Sequence, residues 1–241
     1  MYQLILIGVS LNSQGGIFNL TLAFYGQPKF STTSASPVGY ELFIREKRDN
    51  HWVLPVSFTA IHASQIETLL RRVLTQVPST TQILSFNLEP SQFVQPVFIE
   101  MVTRIQQQTQ IHLITELTER FDASISHEQL VAAAQQFHQD RLLVCIDDVG
   151  TERNTPQLVQ EMNPYVDEFK FAFQNLRPFK DIQTVEHFLK FWYSVAKAHD
   201  KVFAVEGLET AAELQYVTNH YQVDLIQGYY TGRPELLVAE S

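Results

Sequence analysis

Asp147 and Asp148 stand side by side at the end of an apolar run, Leu142–Ile146, with Val149 and Gly150 directly after them. Adjacent carboxylates repel one another and lose hydration when part-buried, so a cation or a proton normally offsets them. A plainer role is a strand end whose second Asp caps the next helix. What favours the cation is recurrence. Glu41 lies in one apolar segment, and Asn87, Glu116 and Glu206 close others. Glu119 and Glu209 follow two of those ends, and Gln227 lies within the last strand. Carboxylate and amide oxygens suit hard divalent ions such as Mg²⁺ or Mn²⁺. No Cys or His joins them at zinc-like spacing. Several carboxylates on one rim could hold two ions, which clamp the attacking and leaving oxygens of a phosphodiester. Taken singly, each residue has an ordinary alternative: Glu41 at a solvated edge, Asn87 and Glu89 in the turn before Pro90, Gln227 as a core amide.

One arrangement would bring these residues together. Phe18–Tyr25 and Tyr40–Glu46 read as strands, with Gly26-Gln27-Pro28 ending the first and Lys47–Pro55 a loop after the second. The connection between them is too short for a crossover helix, so they should be antiparallel neighbours. Helices over Ile61–Gln76, Gln92–Gln108, His127–His138, Pro156–Met162, Asp181–His199 and Ala211–Asn219 then alternate with strands over Ile83–Leu88, Ile111–Glu116, Leu142–Asp147, Glu168–Phe173, Val202–Val205 and Leu225–Tyr229. Alternation of this kind implies parallel βα units. Two opening strands and six more favour a TIM-like (β/α)8 barrel, whose strand ends meet at one catalytic rim. An open doubly wound sheet fits less well, because no Gly-rich fingerprint follows the first strand.

Lys170 is the most informative single residue. Phe169, Phe171 and Phe173 share one face of its strand, and Glu168, Lys170 and Ala172 share the other. The Phe face should pack under the helices and put Lys170 inside the barrel, where it needs anionic partners.

The chain of 241 residues is 45% hydrophobic, enough for one large domain, with the barrel core over about 18–236. A formal net charge of -9 and no basic cluster argue against DNA or RNA as a partner. Met1–Leu11 is apolar but too short for a membrane span and lacks a signal peptide's charged start; it reads as a strand or packing segment. Cys145, the only cysteine, sits in an apolar run as a buried thiol and fits a reducing cytoplasm.

The ordered series of motifs resembles the EAL domain family of cyclic di-GMP phosphodiesterases. Gln27-Pro28 is similar to the family's early Gln-Pro, and Glu41-Leu42-Phe43 with Arg45 to its Glu-Ala-Leu followed by Arg. Asn87-Leu88-Glu89-Pro90 and Gln92-Phe93 resemble Asn-Leu-Ser-Pro and Gln-Phe, and Glu116–Glu119 reads Glu-Leu-Thr-Glu. Asp147–Glu152 resembles Asp-Asp-Phe-Gly-Thr-Gly, Glu206–Thr210 resembles Glu-Gly-Val-Glu-Thr, and Gln227–Tyr230 with Gly232-Arg233-Pro234 resembles the closing Gln-Gly-Tyr and Gly-Arg-Pro. The resemblance implies a barrel with one antiparallel strand, two Mg²⁺ or Mn²⁺ ions, and hydrolysis of cyclic di-GMP to linear pGpG. It implies Glu41, Asn87, Glu116, Asp147 and Asp148 as metal ligands. Catalytic roles fall on Glu41, Lys170, Glu206 and Glu209. Gln27, Arg45, Asp148, Gln227 and Arg233 would meet the substrate, and Glu119 would anchor the loop after Asp148. That loop often joins a homodimer.

This chain departs from the pattern in that loop and after Lys170. Glu152 stands where the family has glycine, which strains any backbone needing positive φ there. Ala172 stands where the family has an Asp, removing one carboxylate. These changes favour the alternative of a cyclic di-GMP receptor acting through a protein partner, while the retained Glu41, Lys170 and Glu206 favour the enzyme. A scaffold without either activity is the third reading. No sensor or cyclase domain is expected in the remaining residues.

Overall fold

Ten strands and seven α-helices order residues 21–237, the part of the chain that the computed structural model describes. In chain order they are β1 (Leu22–Ser31), β2 (Gly39–Arg48), β3 (His51–Val53), α1 (Ala63–Leu74), β4 (Ile83–Leu88), α2 (Pro90–Phe93), α3 (Pro96–Gln106), β5 (His112–Leu117), α4 (His127–Gln139), β6 (Leu143–Ile146), α5 (Pro156–Met162), β7 (Glu168–Ala172), α6 (Glu186–Ala198), β8 (Val202–Glu206), α7 (Ala211–His220), β9 (Leu225–Ile226) and β10 (Glu235–Leu236). Strands β2, β4, β5, β6, β7, β8 and β9 pair in that order, all parallel. Strand β1 closes the ring, antiparallel to both β2 and β9. The eight-stranded barrel with one antiparallel strand is therefore as the sequence implies.

Several boundaries differ. The first strand does not end at Gly26-Gln27-Pro28 but runs through it to Ser31. Pro28 lies between the residues that β10 pairs with, Tyr25 and Gly26, and those that β9 pairs with, Phe30 and Ser31, so no partner on that edge needs its missing N–H. The start of the expected strand, residues 18–20, and the segment Met1–Leu11 lie outside the described residues. The expected loop over Lys47–Pro55 contains β3, paired with the end of β2. The helix expected over Gln92–Gln108 is two, because Pro96 cannot continue α2 but suits the first turn of α3. The helix expected from Asp181 opens instead as a 3-10 turn, Ile182–Thr184, before α6.

The helices bury apolar stripes against the outer face of the barrel. In β7, Phe169 and Phe171 enter this shell while Glu168, Lys170 and Ala172 turn inward. Caps fix where chain leaves the rim. Ser126 and Gln129 cap α4 reciprocally, and Thr210 and Glu213 do the same for α7 (Glu213 N to Thr210 Oγ1, 3.2 Å; Thr210 N to Glu213 Oε2, 3.1 Å). Among the described residues no helix is long and apolar enough to cross a membrane.

Gly39 opens β2 opposite Ile83, and a Cβ there would overlap the Ile83 carbonyl. Backbone cannot yield as a side-chain tip can. Gly39→Ala should therefore lower stability by about 1–3 kcal/mol in urea unfolding. An unchanged midpoint would mean that the β2–β4 seam moves more freely than its packing indicates.

Candidate metal site in the barrel mouth

Strand register brings the sequence-distant acids into one layer. Glu41 pairs with Ser85 across β2–β4, Asn87 with Glu116 across β4–β5, and Ala172 with Glu206 across β7–β8. Lys170 rises between them, 1% exposed. Its Nζ is 3.1 Å from Glu41 Oε2, 3.0 Å from Asp147 Oδ1 and 3.5 Å from Glu206 Oε2, and it also donates to Glu116 Oε2. One ammonium thus bridges acids from β2, β5 and β8 and the acid just past β6.

Sequence reasoning missed a second interior cation. Lys29 of β1 is also 1% exposed, 2.6 Å from Glu116 Oε1 and 3.7 Å from Glu168 Oε1. Glu116 therefore meets an ammonium at each oxygen. Lys29 and Gln27 share a face of β1, a period that the turn-like Gly26-Gln27-Pro28 hides.

An amide chain continues the network. Asn87 Nδ2 donates to Glu41 Oε1 (2.8 Å). Gln227 Nε2 donates to Glu41 Oε2 (2.8 Å) and to Gln27 Oε1 (2.9 Å), and Gln27 Nε2 donates to the Gly232 carbonyl (2.9 Å). Above them opens a cavity of about 500 Å³ whose lining includes Gln27, Glu41, Asn87, Asp147, Asp148, Glu206, Glu209 and Gln227. Its other wall is apolar, with Phe24, Leu42, Phe58, Ile61 and Ile66.

The remaining expected residues surround this network. Arg45 lines the cavity with its guanidinium over the rings of Tyr25 (5.7 Å) and Phe43 (5.9 Å). Glu209 sits at the lip, 3.5 Å from Arg177 Nε. Arg233 is exposed and stacks on Tyr229 at 4.0 Å. Glu119 accepts from Arg153 N through its backbone carbonyl (3.0 Å).

The loop after β6 is held more tightly than its sequence indicates. Asp148 adopts φ 47° and Glu152 φ 40°, so the non-glycine at 152 does take the strained left-handed backbone. Buried Arg153 donates to the carbonyls of Asp122 (3.0 Å) and Ile125, and Asn154 Nδ2 donates to the Asp147 carbonyl. These bonds staple the acidic pair to the segment after β5. Nothing in the local sequence marks Arg153 as buried; only the staple does.

Protonation follows from these neighbours. Burial alone would raise Glu116, but Lys170 and Lys29 outweigh it and hold the carboxyl near about 2. Burial pushes Asp148 up to about 7, helped by Asp147, and burial pushes Glu206 up to about 8 although Lys170 opposes it. Asp147 rises well above the carboxylate range, again chiefly through burial. Acids raised in this way bind protons in the folded state that the unfolded chain has released. Without metal, stability should therefore fall as pH rises from about 4 to 8. The Glu116 contribution is present above its ordinary range and lost only as pH falls toward about 2, outside that window. Thermal midpoints in chelator should drop across it, and Mn²⁺ should flatten the slope. A flat slope in chelator would show that these acids are ionised without metal.

Three buried acceptors in this site lack a hydrogen-bond partner: Asn87 Oδ1, Asp148 Oδ1 and Gln227 Oε1. Ligand atoms of Glu41, Glu116 and Asp147 lie within 4.8 Å of one another, as do those of Glu119, Asp147 and Asp148. Orphaned acceptors beside clustered carboxylates fit a divalent cation.

Fold and site together define an eight-stranded barrel with an oxygen-rich mouth over a buried ammonium. The sequence model of the EAL domain matches residues 14–234, and the chain belongs to the EAL domain family. Three solved structures share its fold. Bacillus subtilis YkuI, a protein with an EAL domain in complex with cyclic di-GMP and calcium, is 20% identical with a TM-score of 0.72; the match covers 91% of this chain and 57% of YkuI. The PaMucR phosphodiesterase in complex with cyclic di-GMP is 20% identical with a TM-score of 0.71, covering 89% and 92%. The FimX EAL domain from Pseudomonas aeruginosa, bound to cyclic di-GMP, is 17% identical with a TM-score of 0.71, covering 89% and 91%. No curated protein matches the chain.

Proposed function

We propose that this barrel binds cyclic di-GMP in its mouth and hydrolyses it to linear pGpG with Mg²⁺ or Mn²⁺. The observation that carries the reading is the intact set of Glu41, Glu116, Asp147 and Glu206 around Lys170 beneath a cavity lined by Arg45. Glu41, Asn87, Glu116, Asp147 and Asp148 would hold the metal, and Glu206 would complete the metal and water site beside them. Glu41, Glu116, Asp147, Asp148, Glu168 and Glu206 crowd the barrel interior against Lys29 and Lys170. Bound metal supplies Lewis acidity and a lowered water pKa.

The chain's own residues do the rest. Arg45 offers a planar fork to a phosphate. Lys170 fixes the acids and opposes negative charge that develops at phosphorus. Gln27 and Gln227 present amides to a base or ribose, and Glu209 stands at the lip. The apolar wall takes a guanine and excludes water. Arg233 acts only from outside, through Tyr229. A homodimer joined near the loop after Asp148, with Glu119 as its backbone anchor, and a cytoplasmic site of action belong to the same reading.

A second reading, binding without turnover and signalling through a protein partner, draws on Ala172 and on the strained, stapled loop at Glu152. Product analysis separates the two. Purified protein is incubated with cyclic di-GMP and Mg²⁺ or Mn²⁺, and nucleotides are resolved chromatographically. Metal-dependent pGpG supports the enzyme. Binding by calorimetry without product supports the receptor, and the absence of both product and binding would overturn both readings.

A further inference from the structure

Ala172 leaves Glu206 without the carboxylate neighbour that the register would otherwise place beside it. The space is not left unserved. The 3-10 turn Phe173–Leu176 follows β7 directly, and Gln174 Nε2 donates to Glu206 Oε1. Glu206 Oε2 faces Lys170 at 3.5 Å, so one oxygen of Glu206 has an amide donor and the other an ion-pair partner. Gly207 makes the amide contact feasible. Its φ is 73°, and a Cβ there would overlap Gln174 Oε1 and come within 2.7 Å of the Gln174 backbone N. Gln174 also lines the cavity.

We infer that Gln174 is a positioning residue: its amide aims Glu206 at the candidate metal site and so stands in for the acid missing at position 172. The chemistry differs from that of the acid it replaces. A carboxylate at 172 would hold its place by sharing a cation with Glu206, whereas the amide holds Glu206 by donation before any cation arrives. Loss of the amide would leave Glu206 Oε1 unpartnered and free to turn from the mouth.

This inference rests on the metal reading, and its test reads metal alone. Mn²⁺ binding is measured by calorimetry without nucleotide, for wild type, Gln174→Ala, and Gln174→Ala with Ala172→Asp. Loss of a residue that orients a metal-site group weakens affinity by 10–100-fold. Gln174→Ala should lose about 10-fold, with an unchanged thermal midpoint in chelator, and Ala172→Asp should restore most of it. A purely structural role would instead lower the midpoint and gain nothing from Asp at 172, which would overturn the inference. Gln174→Ala with wild-type affinity would overturn it while leaving the metal reading standing. A wild type that takes up no Mn²⁺ would overturn the metal reading and this role with it.

Discussion

Glu41→Ala is expected to bring cyclic di-GMP hydrolysis to background while nucleotide binding stays within about 10-fold of wild type. The expected loss in kcat is at least about 10²–10³-fold, the scale set by removing one preorganised electrostatic group. Glu41 is the convergence point of the mouth. Asn87, Gln227 and Lys170 all donate to its two oxygens, and it is 1% exposed. Its removal takes one candidate ligand, frees the amides on either side and unbalances Lys170. Arg45 and the apolar wall lie apart from those bonds, so they should still hold the nucleotide. Glu41→Gln separates charge from shape, because a neutral amide can keep some hydrogen bonds without ligating metal well. Both variants should be inactive. Hydrolysis at the wild-type rate in either would show that the reaction centre lies elsewhere.

Lys170→Met should lower stability by about 3–5 kcal/mol, the loss typical when one partner of a buried ion pair is removed. Here one ammonium serves Glu41, Glu116, Asp147 and Glu206, and Lys29 reaches only Glu116 among them. Methionine matches the lysine stem in size, so packing hardly changes and the effect isolates charge. The loss should be largest in chelator above about pH 8, where the acids would be ionised, and smaller below about pH 6, where protons can replace the ammonium. Lys170→Arg should not rescue, because a broad fork does not fit a site shaped for a point charge. Urea unfolding in chelator at two pH values measures all of this. A cost under about 1 kcal/mol would mean that the carboxylates are already protonated around Lys170.

The barrel was legible because its signal is repetitive. Alternating helix and strand periods fix parallel units, and β7 shows which side of its strand faces inward through Phe169 and Phe171 alone. Asn87, Glu116, Asp147 and Glu206 could be read because strand ends converge by topology, whatever the side chains do. Lys29 escaped for a local reason. Gly26 and Pro28 carry turn chemistry, and only pairing on both edges of β1 overrides it. Gln174 and Arg153 escaped for a non-local one. A glutamine in a turn and an arginine in a loop look solvated until distant segments supply Glu206 or the carbonyls of Asp122 and Ile125. Proline at 96 was visible in the sequence, yet apolar periodicity on both sides masked the break between α2 and α3.

Lys29 and Lys170 also bear on how such a protein can change over evolutionary time. Many acidic sites fold only around their ion, so losing the chemistry means losing the scaffold. This barrel carries two resident counterions in its own wall, on β1 and β7. Inheritance of the shape is thereby separated from inheritance of the reaction. A barrel of this kind keeps a folded mouth whether or not it turns a ligand over, and selection can act on recognition alone.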